Sequence, residues 1–357
     1  MHESKGLKIA VFFWNIALLA GGTALLLAGT GCGDDDPPAG VDGNVDVDGN
    51  VDVDGSVNVD GGVDGEVDGD IDGGAPGALL SRPSKSGTID VTEDDTVVVM
   101  VNPEDNSISS FTTADNERLA RLETGTEPSA VVIHPNGTTA YVANRADATV
   151  VRIDGIDTAS PSVGATVEVG SEPTGLALSP TGQKLFVAEH AEGRVAQIDT
   201  GTFTVTGSIE ATQNPYALTV TNNGDTSDDD ELLIVPEFFG EPTADGEATD
   251  TGRQGRVRIY NVSDLSPAGP ITFAPLNSGF APEGGEPVMT SPNQLGPVAI
   301  LDGKIYVPSI SVSPAGPPRF NLNIQPVVYV ADLEGRTEDT GPTGTQNLAR
   351  LVRDAAT

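Results

Sequence analysis

The chain has 357 residues, with 53 Asp+Glu against 18 Lys+Arg and a formal net charge of -35. Such a charge repels phosphate backbones, so nucleic acid is excluded as an expected partner. One cysteine rules out an internal disulfide, a thiolate-based structural zinc site and CxxCH haem attachment, while 43 Gly and 26 Pro favour many short strands and turns. The expected fold class is all-β.

Lys5 and Lys8 precede the apolar run 9–29, and small residues lead up to Cys32, with Gly31 directly before it. This is the pattern of an export signal over residues 1–31. It resembles a bacterial lipoprotein signal, in which the cysteine after the small residue is lipidated and begins the mature chain; that resemblance implies lipidation of Cys32. Gly29 stands where such signals usually carry Leu. An uncleaved anchor and ordinary signal cleavage are the alternatives, and all three place the remainder outside the cytoplasm, in the bacterial cell envelope facing the periplasm or the cell surface.

Residues 32–84 read as the anchor cysteine and an acidic spacer. NVDVDG at 44–49 recurs at 50–55 and again as SVNVDG at 56–61. Charge repulsion, glycine entropy and the scarcity of apolar surface oppose collapse. The DxDG pattern is similar to part of a calcium loop, but from Asn50 the twelfth place falls on Gly61 instead of a bidentate Glu. Loose cation condensation on a polyanion is the expectation there.

From residue 85 to 357 the chain repeats. Glu127–Asp154 recurs as Glu172–Asp199: an apolar strand, a turn at Asn136-Gly137 or Thr181-Gly182, a second strand ending in VAN or VAE, a polar turn, and a third strand ending in Ile-Asp. A fourth strand completes each unit. Four short strands every 40–45 residues predict blades of a β-propeller. Weaker copies begin at Gly87, Asn214 and Pro297, the first with a tight turn at Asp94-Asp95 and the last with a hairpin at Asp302-Gly303, so about five blades are legible, the last ending near 345–352.

At Glu127–Arg145 and Glu172–Glu189 the chain resembles the YVTN family of bacterial β-propeller repeat proteins. Members commonly have about seven blades, which makes this an incomplete ring or one closed differently. No N-terminal strand is evident to complete the last blade.

Aligning the repeats puts Asn102, Asn144, Glu189, Glu237 and Ser309 just after the apolar part of the second strand. Such a ring would coordinate Ca2+ or another divalent cation at a channel mouth; the competing reading is local capping of the next turn. His134 and His190 fall at different repeat positions, which separates them. His190, beside Glu189, is the catalytic candidate, because a carboxylate holds an imidazole in one tautomer. Two long insertions, 237–256 and 311–326, offer Phe238, Phe239, Arg319 and Phe320 as ligand contacts.

The functional expectation is a membrane-anchored binding or scaffold module for an envelope protein, glycan or small ligand. The alternative is a lactonase-like hydrolase or lyase using a channel-mouth cation. A third reading, an accessory subunit in periplasmic electron transfer, requires a haem-bearing partner, since this chain has no haem motif.

Overall fold

The computed structural model describes residues 78–355, apart from 211–212, 316–317 and the side chains of Phe320 and Asn321. The export signal, Cys32 and nearly all of the spacer lie outside the described residues. Every strand and core residue described lies within one compact unit, Gly69–Thr357.

Five antiparallel sheets follow one another along the chain, as the repeats predict. Sheet 1 contains Ile89–Val91, Val97–Asn102, Ser107–Thr112 and Arg118–Glu123. Sheet 2 contains Pro128–Ile133, Thr139–Asn144, Thr149–Asp154 and Ser162–Glu168. Sheet 3 contains Pro173–Leu178, Lys184–Glu189, Arg194–Asp199 and Thr204–Ile209. In each, the strands pair in chain order from the inner to the outer edge. Turn chemistry sets these hairpins: Asn136 Oδ1 accepts from the amides of Thr138 and Thr139, and Gly137 takes φ +73°. Sheets 2 and 3 even share a bulge, since the pairing register shifts at Pro128/Ala130 and again at Pro173/Gly175.

Sheets 4 and 5 depart from this plan. Sheet 4 runs Thr219–Val220, Leu232–Pro236, Arg253–Asn261 and Ile271–Phe273, with Glu241–Pro242 folded back on the third strand. In sheet 5 two separate segments, Met289–Asn293 and Ala299–Leu301, pair with the nine-residue strand Lys304–Val312, which pairs in turn with Ile324–Asp332. Asp302 and Gly303 adopt φ +50° and +73°, as the two-residue hairpin at Asp302-Gly303 requires.

The last blade ends within 345–352, where Gln346–Asn347 pairs with Val327–Val328 and the chain then changes character. Only Gln346–Asn347 is extended, and Leu348–Ala355 is a helix. Asn347 Oδ1 accepts the Arg350 amide at 3.1 Å, which is an N-cap, and the Leu, Ala and Arg that follow are good helix formers.

An N-terminal strand does exist, in a place the sequence does not announce. Ser84–Lys85 pairs with the inner strand of sheet 4, not with the last sheet. Ser86 Oγ contacts the carbonyls of Leu176 at 2.9 Å and Leu218 at 3.2 Å and accepts the Leu218 amide, while the Gly87 carbonyl accepts the Val131 amide. The segment therefore lies against the inner strands of sheets 2, 3 and 4. Leu80 is buried in the core between sheets 2 and 3, so the packed chain begins before the boundary expected at residue 84.

The hydrophobic interior consists of four clusters, each a seam between consecutive sheets: 1 with 2, 2 with 3, 3 with 4, and 4 with 5. Alternation along the strands explains this, because successive side chains point to opposite faces. In the second strand of sheet 3, Leu185 and Val187 face sheet 2 while Phe186 and Ala188 face sheet 4. Hydroxyl bridges tie the inner strands together: Ser129 Oγ donates to the Pro173 carbonyl at 2.6 Å, Thr174 Oγ1 to Tyr216 at 2.9 Å, and Thr219 Oγ1 to Val298 at 2.8 Å.

Candidate functional site

The residues that end the second strands hold neighbouring segments of chain. Asn102 Nδ2 donates to the hydroxyls of Ser107 and Ser109, and Asn144 Nδ2 to Thr149 Oγ1. Glu189 is fully buried; its Oε1 accepts the Gly170 amide at 2.6 Å and its Oε2 is paired with Arg194. Glu237, equally buried, accepts the Gln213 amide and forms ion pairs at 2.6 Å with both Arg256 and Arg258. Ser309 Oγ donates to the Asn293 carbonyl at 2.7 Å. Gly170 and Gln213 lie in the connections arriving from the preceding blade, so Glu189 and Glu237 act as latches between blades.

The two carboxylates of the expected ring are already engaged, each with guanidinium groups and one backbone amide, which leaves them little to offer a divalent ion. Among the described residues, no group of three or more His, Cys, Asp or Glu is arranged to hold a metal. The Glu189–Arg194 pair borders a groove of about 390 Å³ between the outer parts of sheets 2 and 3.

One position further along, the repeats present Arg145, His190 and Phe238. Their amides donate to the carbonyls of Glu127, Glu172 and Asn214 respectively. Each acceptor has a left-handed φ of +53°, +53° and +47° and precedes the proline that opens a blade. The residue after that proline is Ser129, Thr174 or Tyr216. The first two use their hydroxyls as bridges, whereas the third brings an aromatic ring to the seam of sheets 3 and 4.

There it meets His190, Phe238 and Phe239. Ring centroids lie 5.8 Å apart for His190–Tyr216, 5.6 Å for His190–Phe238, and 4.9 Å for both Tyr216–Phe238 and Phe238–Phe239. Edge and tilted contacts of this kind satisfy the ring quadrupoles. The cluster is not sealed: His190, Tyr216 and Phe238 are half-buried and Phe239 is 38% exposed. Arg145, bound to Glu127 at 2.7 Å, lies within electrostatic reach of Tyr216.

The partner expected for His190 is corrected. Glu189 is committed to Arg194 and Gly170, and the imidazole Nδ1 instead lies 3.3 Å from the Pro215 carbonyl. As donor to that carbonyl, Nδ1 carries a proton, which leaves Nε2 as the ring nitrogen free to face the cluster. His134 stands apart, as its repeat position implies. Its Nδ1 accepts the Asn136 amide, and burial pushes the imidazole below its ordinary pKa.

Both insertions leave from second-strand ends, on the same side of the sheets as the aromatic cluster. They are braced together, because Asp250 Oδ1 accepts Ser313 Oγ at 2.8 Å and the Ala315 amide at 3.0 Å. Phe238 and Phe239 begin the first insertion and join the cluster. Arg319 is exposed in the second, where its amide donates to Asn323 Oδ1; the Phe320 side chain lies outside the description.

Five successive antiparallel sheets sharing seam cores define a β-propeller protein, here with an aromatic patch at one seam. The family described as Lactonase, 7-bladed beta-propeller matches residues 113–231, about a third of the chain, including Glu189, His190 and Tyr216. Among solved structures the chain is similar to Kuenenia stuttgartiensis Hydrazine Synthase, with 16% identity, a TM-score of 0.55, and coverage of 78% of this chain and 68% of that one. At that identity the likeness is one of fold. No curated protein sequence matches the chain.

Proposed function

We propose that this is a cell-envelope lipoprotein, anchored through Cys32 and spaced from its membrane by the acidic segment, whose propeller is a binding module for a protein, glycan or small ligand. The observation that carries this reading is the half-exposed cluster of His190, Tyr216, Phe238 and Phe239. Clustered rings with open edges suit the flat apolar faces of sugar rings or the side chains of a partner protein, and Arg145 adds hydrogen-bond donors beside them. The chain enters the folded unit at the other end of the sheets, where Leu80 bonds to Pro180 and Asn222, leaving the patch clear of that entry point.

The test is a glycan and peptide array probed with residues 69–357, followed by titration calorimetry on the best binder. Tyr216→Ala and Phe239→Ala are expected to weaken binding at least ~tenfold, the loss typical of a central aromatic anchor. Binding by both variants at wild-type strength would remove the patch from the account.

A lactonase-like hydrolase is the second reading, favoured by the family match across His190. In this reading Nε2 of His190 removes a proton from water as the water oxygen bonds to the lactone carbonyl carbon. The ring C–O bond then breaks, and the departing alkoxide takes the proton. Lactone hydrolysis followed by pH-stat, abolished in His190→Gln, would support it. Equal rates in both proteins would dismiss it.

A further inference from the structure

The aromatic cluster of His190, Tyr216, Phe238 and Phe239 is an isolated apolar spot. Val163 and Val205, the exposed large apolar side chains of sheets 2 and 3, stand opposite Ile153 and Ile198. Those two residues pair with Ala140 and Leu185, where the second strands begin, at the other end of each blade. Among the described residues of sheets 2 to 4 and their connections, Phe239 is therefore the one large apolar side chain strongly exposed at the cluster's end. A stable protein interface needs about 1,000 Å² or more of well-packed contact. Four rings, three of them half-buried, match the smaller face of a short saccharide instead.

The rim of the cluster is charged but balanced. Arg145 gives Nε and Nη2 to Glu127 Oε2 at 3.1 and 2.7 Å. Arg253, whose Nη1 donates to the Phe239 carbonyl at 3.1 Å, is paired with Glu247. An anionic ligand is repelled by a chain of net charge -35, and a cationic one meets two guanidinium groups at the patch itself. A neutral ligand meets neither penalty.

What the rim offers is hydrogen bonding. Among the described residues, Tyr216 Oη, His190 Nε2, Arg145 Nη1 and Glu127 Oε1 have no hydrogen-bond partner. The rings beside them form walls rather than a stack: His190 stands at 88° to Tyr216 and 87° to Phe238, and Phe239 at 81° to Phe238. A pyranose with equatorial hydroxyls has the complementary chemistry, since axial C–H groups make its faces apolar while its hydroxyls form a polar edge. A β-1,4 linkage between such units is itself equatorial and keeps the faces flat.

We infer that the patch is a subsite for a neutral, β-linked pyranose chain. The rings take its C–H face, and Tyr216, His190 and the Arg145–Glu127 pair take its hydroxyls. This rests on the binding-module reading and names the ligand of that module.

Titration calorimetry on the full chain, in a sugar-free detergent, tests it with cellotetraose and chitotetraose as neutral probes and β-1,4-linked tetraglucuronate as the acidic one. The neutral probes should bind with a Kd of about 1 mM or tighter, changing less than about twofold between low and physiological salt, and the acidic probe should not bind. Phe239→Ala and Tyr216→Ala should each weaken binding at least ~tenfold. Tyr216→Phe, which keeps the packed ring, should weaken it about threefold through the lost hydroxyl, and it replaces Tyr216→Ala should that variant unfold. Failure of both neutral probes to bind, or binding that none of these substitutions weakens, would overturn the inference. A peptide or the acidic probe bound through the same residues would overturn it too, while leaving the binding-module reading in place; a patch that takes no ligand at all would remove both.

Discussion

Among the described residues, sheets 2 and 3 lie between neighbours, whereas sheet 1 and sheet 5 each have a neighbour on one side only. The second strands TAYVAN and KLFVAE of the middle pair are buried on both faces after their first residue, while VVVMVN and KIYVPSISV alternate buried and half-exposed. All four sequences are apolar and rich in β-branched or aromatic residues, so composition does not distinguish them. Position in the row does. A blade supplies two apolar faces whether or not a neighbour is present, and the surplus appears at the ends.

Substitutions should sharpen that contrast. The largest effect is expected at Phe186, fully buried in the seam of sheets 3 and 4: Phe186→Ala should cost about 3–5 kcal/mol in urea unfolding, through lost burial and a residual cavity. Glu237→Gln should cost about 2 kcal/mol, less than a fully enclosed pair, because Arg256 and Arg258 lose their shared anion but keep some access to water. Asn347→Ala should cost about 1 kcal/mol by removing the cap that turns the chain from strand to helix, with a loss of helical circular dichroism as the readout. Met100→Ala, on the uncovered face of sheet 1, should stay within about 1 kcal/mol; a cost equal to that at Phe186 would break the comparison.

The smallest effect is a pH dependence. Burial pushes the Asp90 carboxyl above its ordinary 3.8, offset in part by the amides of Ile133 and Val91. A raised folded-state pKa means that the folded protein holds this proton more tightly than the unfolded chain. The associated stability is complete below the unfolded pKa and is lost as pH rises through the folded one. Asp90→Asn retains an acceptor for those amides without the charge. Its stability relative to wild type should therefore increase from acid toward neutral pH in unfolding curves, and a flat difference would mean that Asp90 does not titrate in this way.

The candidate site was partly legible. Phe238 and Phe239 stood out because they open an insertion, and His190 because it stands beside Glu189, yet nothing in linear order brings these residues together with Tyr216. A signal for Tyr216 was present in the repeat, where the residue after the blade-opening proline is Ser129, Thr174 and then an aromatic. The roles of Glu189 and Glu237 were less legible, because an acid at a strand end reads equally as a cation ligand or as the partner of an arginine. The deciding arginines, Arg194, Arg256 and Arg258, come from the strand paired alongside.

The blade plan is already in the sequence: period-two alternation places one apolar set on each face, turn residues fix hairpin length, and repeats that share their pattern of apolar and turn positions give sheets of the same plan. Which faces find a mate, where the segment from Leu80 to Gly87 lodges, and how Leu348–Ala355 leaves the repeat as a helix emerge only on folding. Those outcomes depend on contacts between residues far apart in the chain, as when the hydroxyl of Ser86 bonds to Leu176 and Leu218. Local preference is silent about such contacts, because their free energy arises only when distant surfaces leave water together.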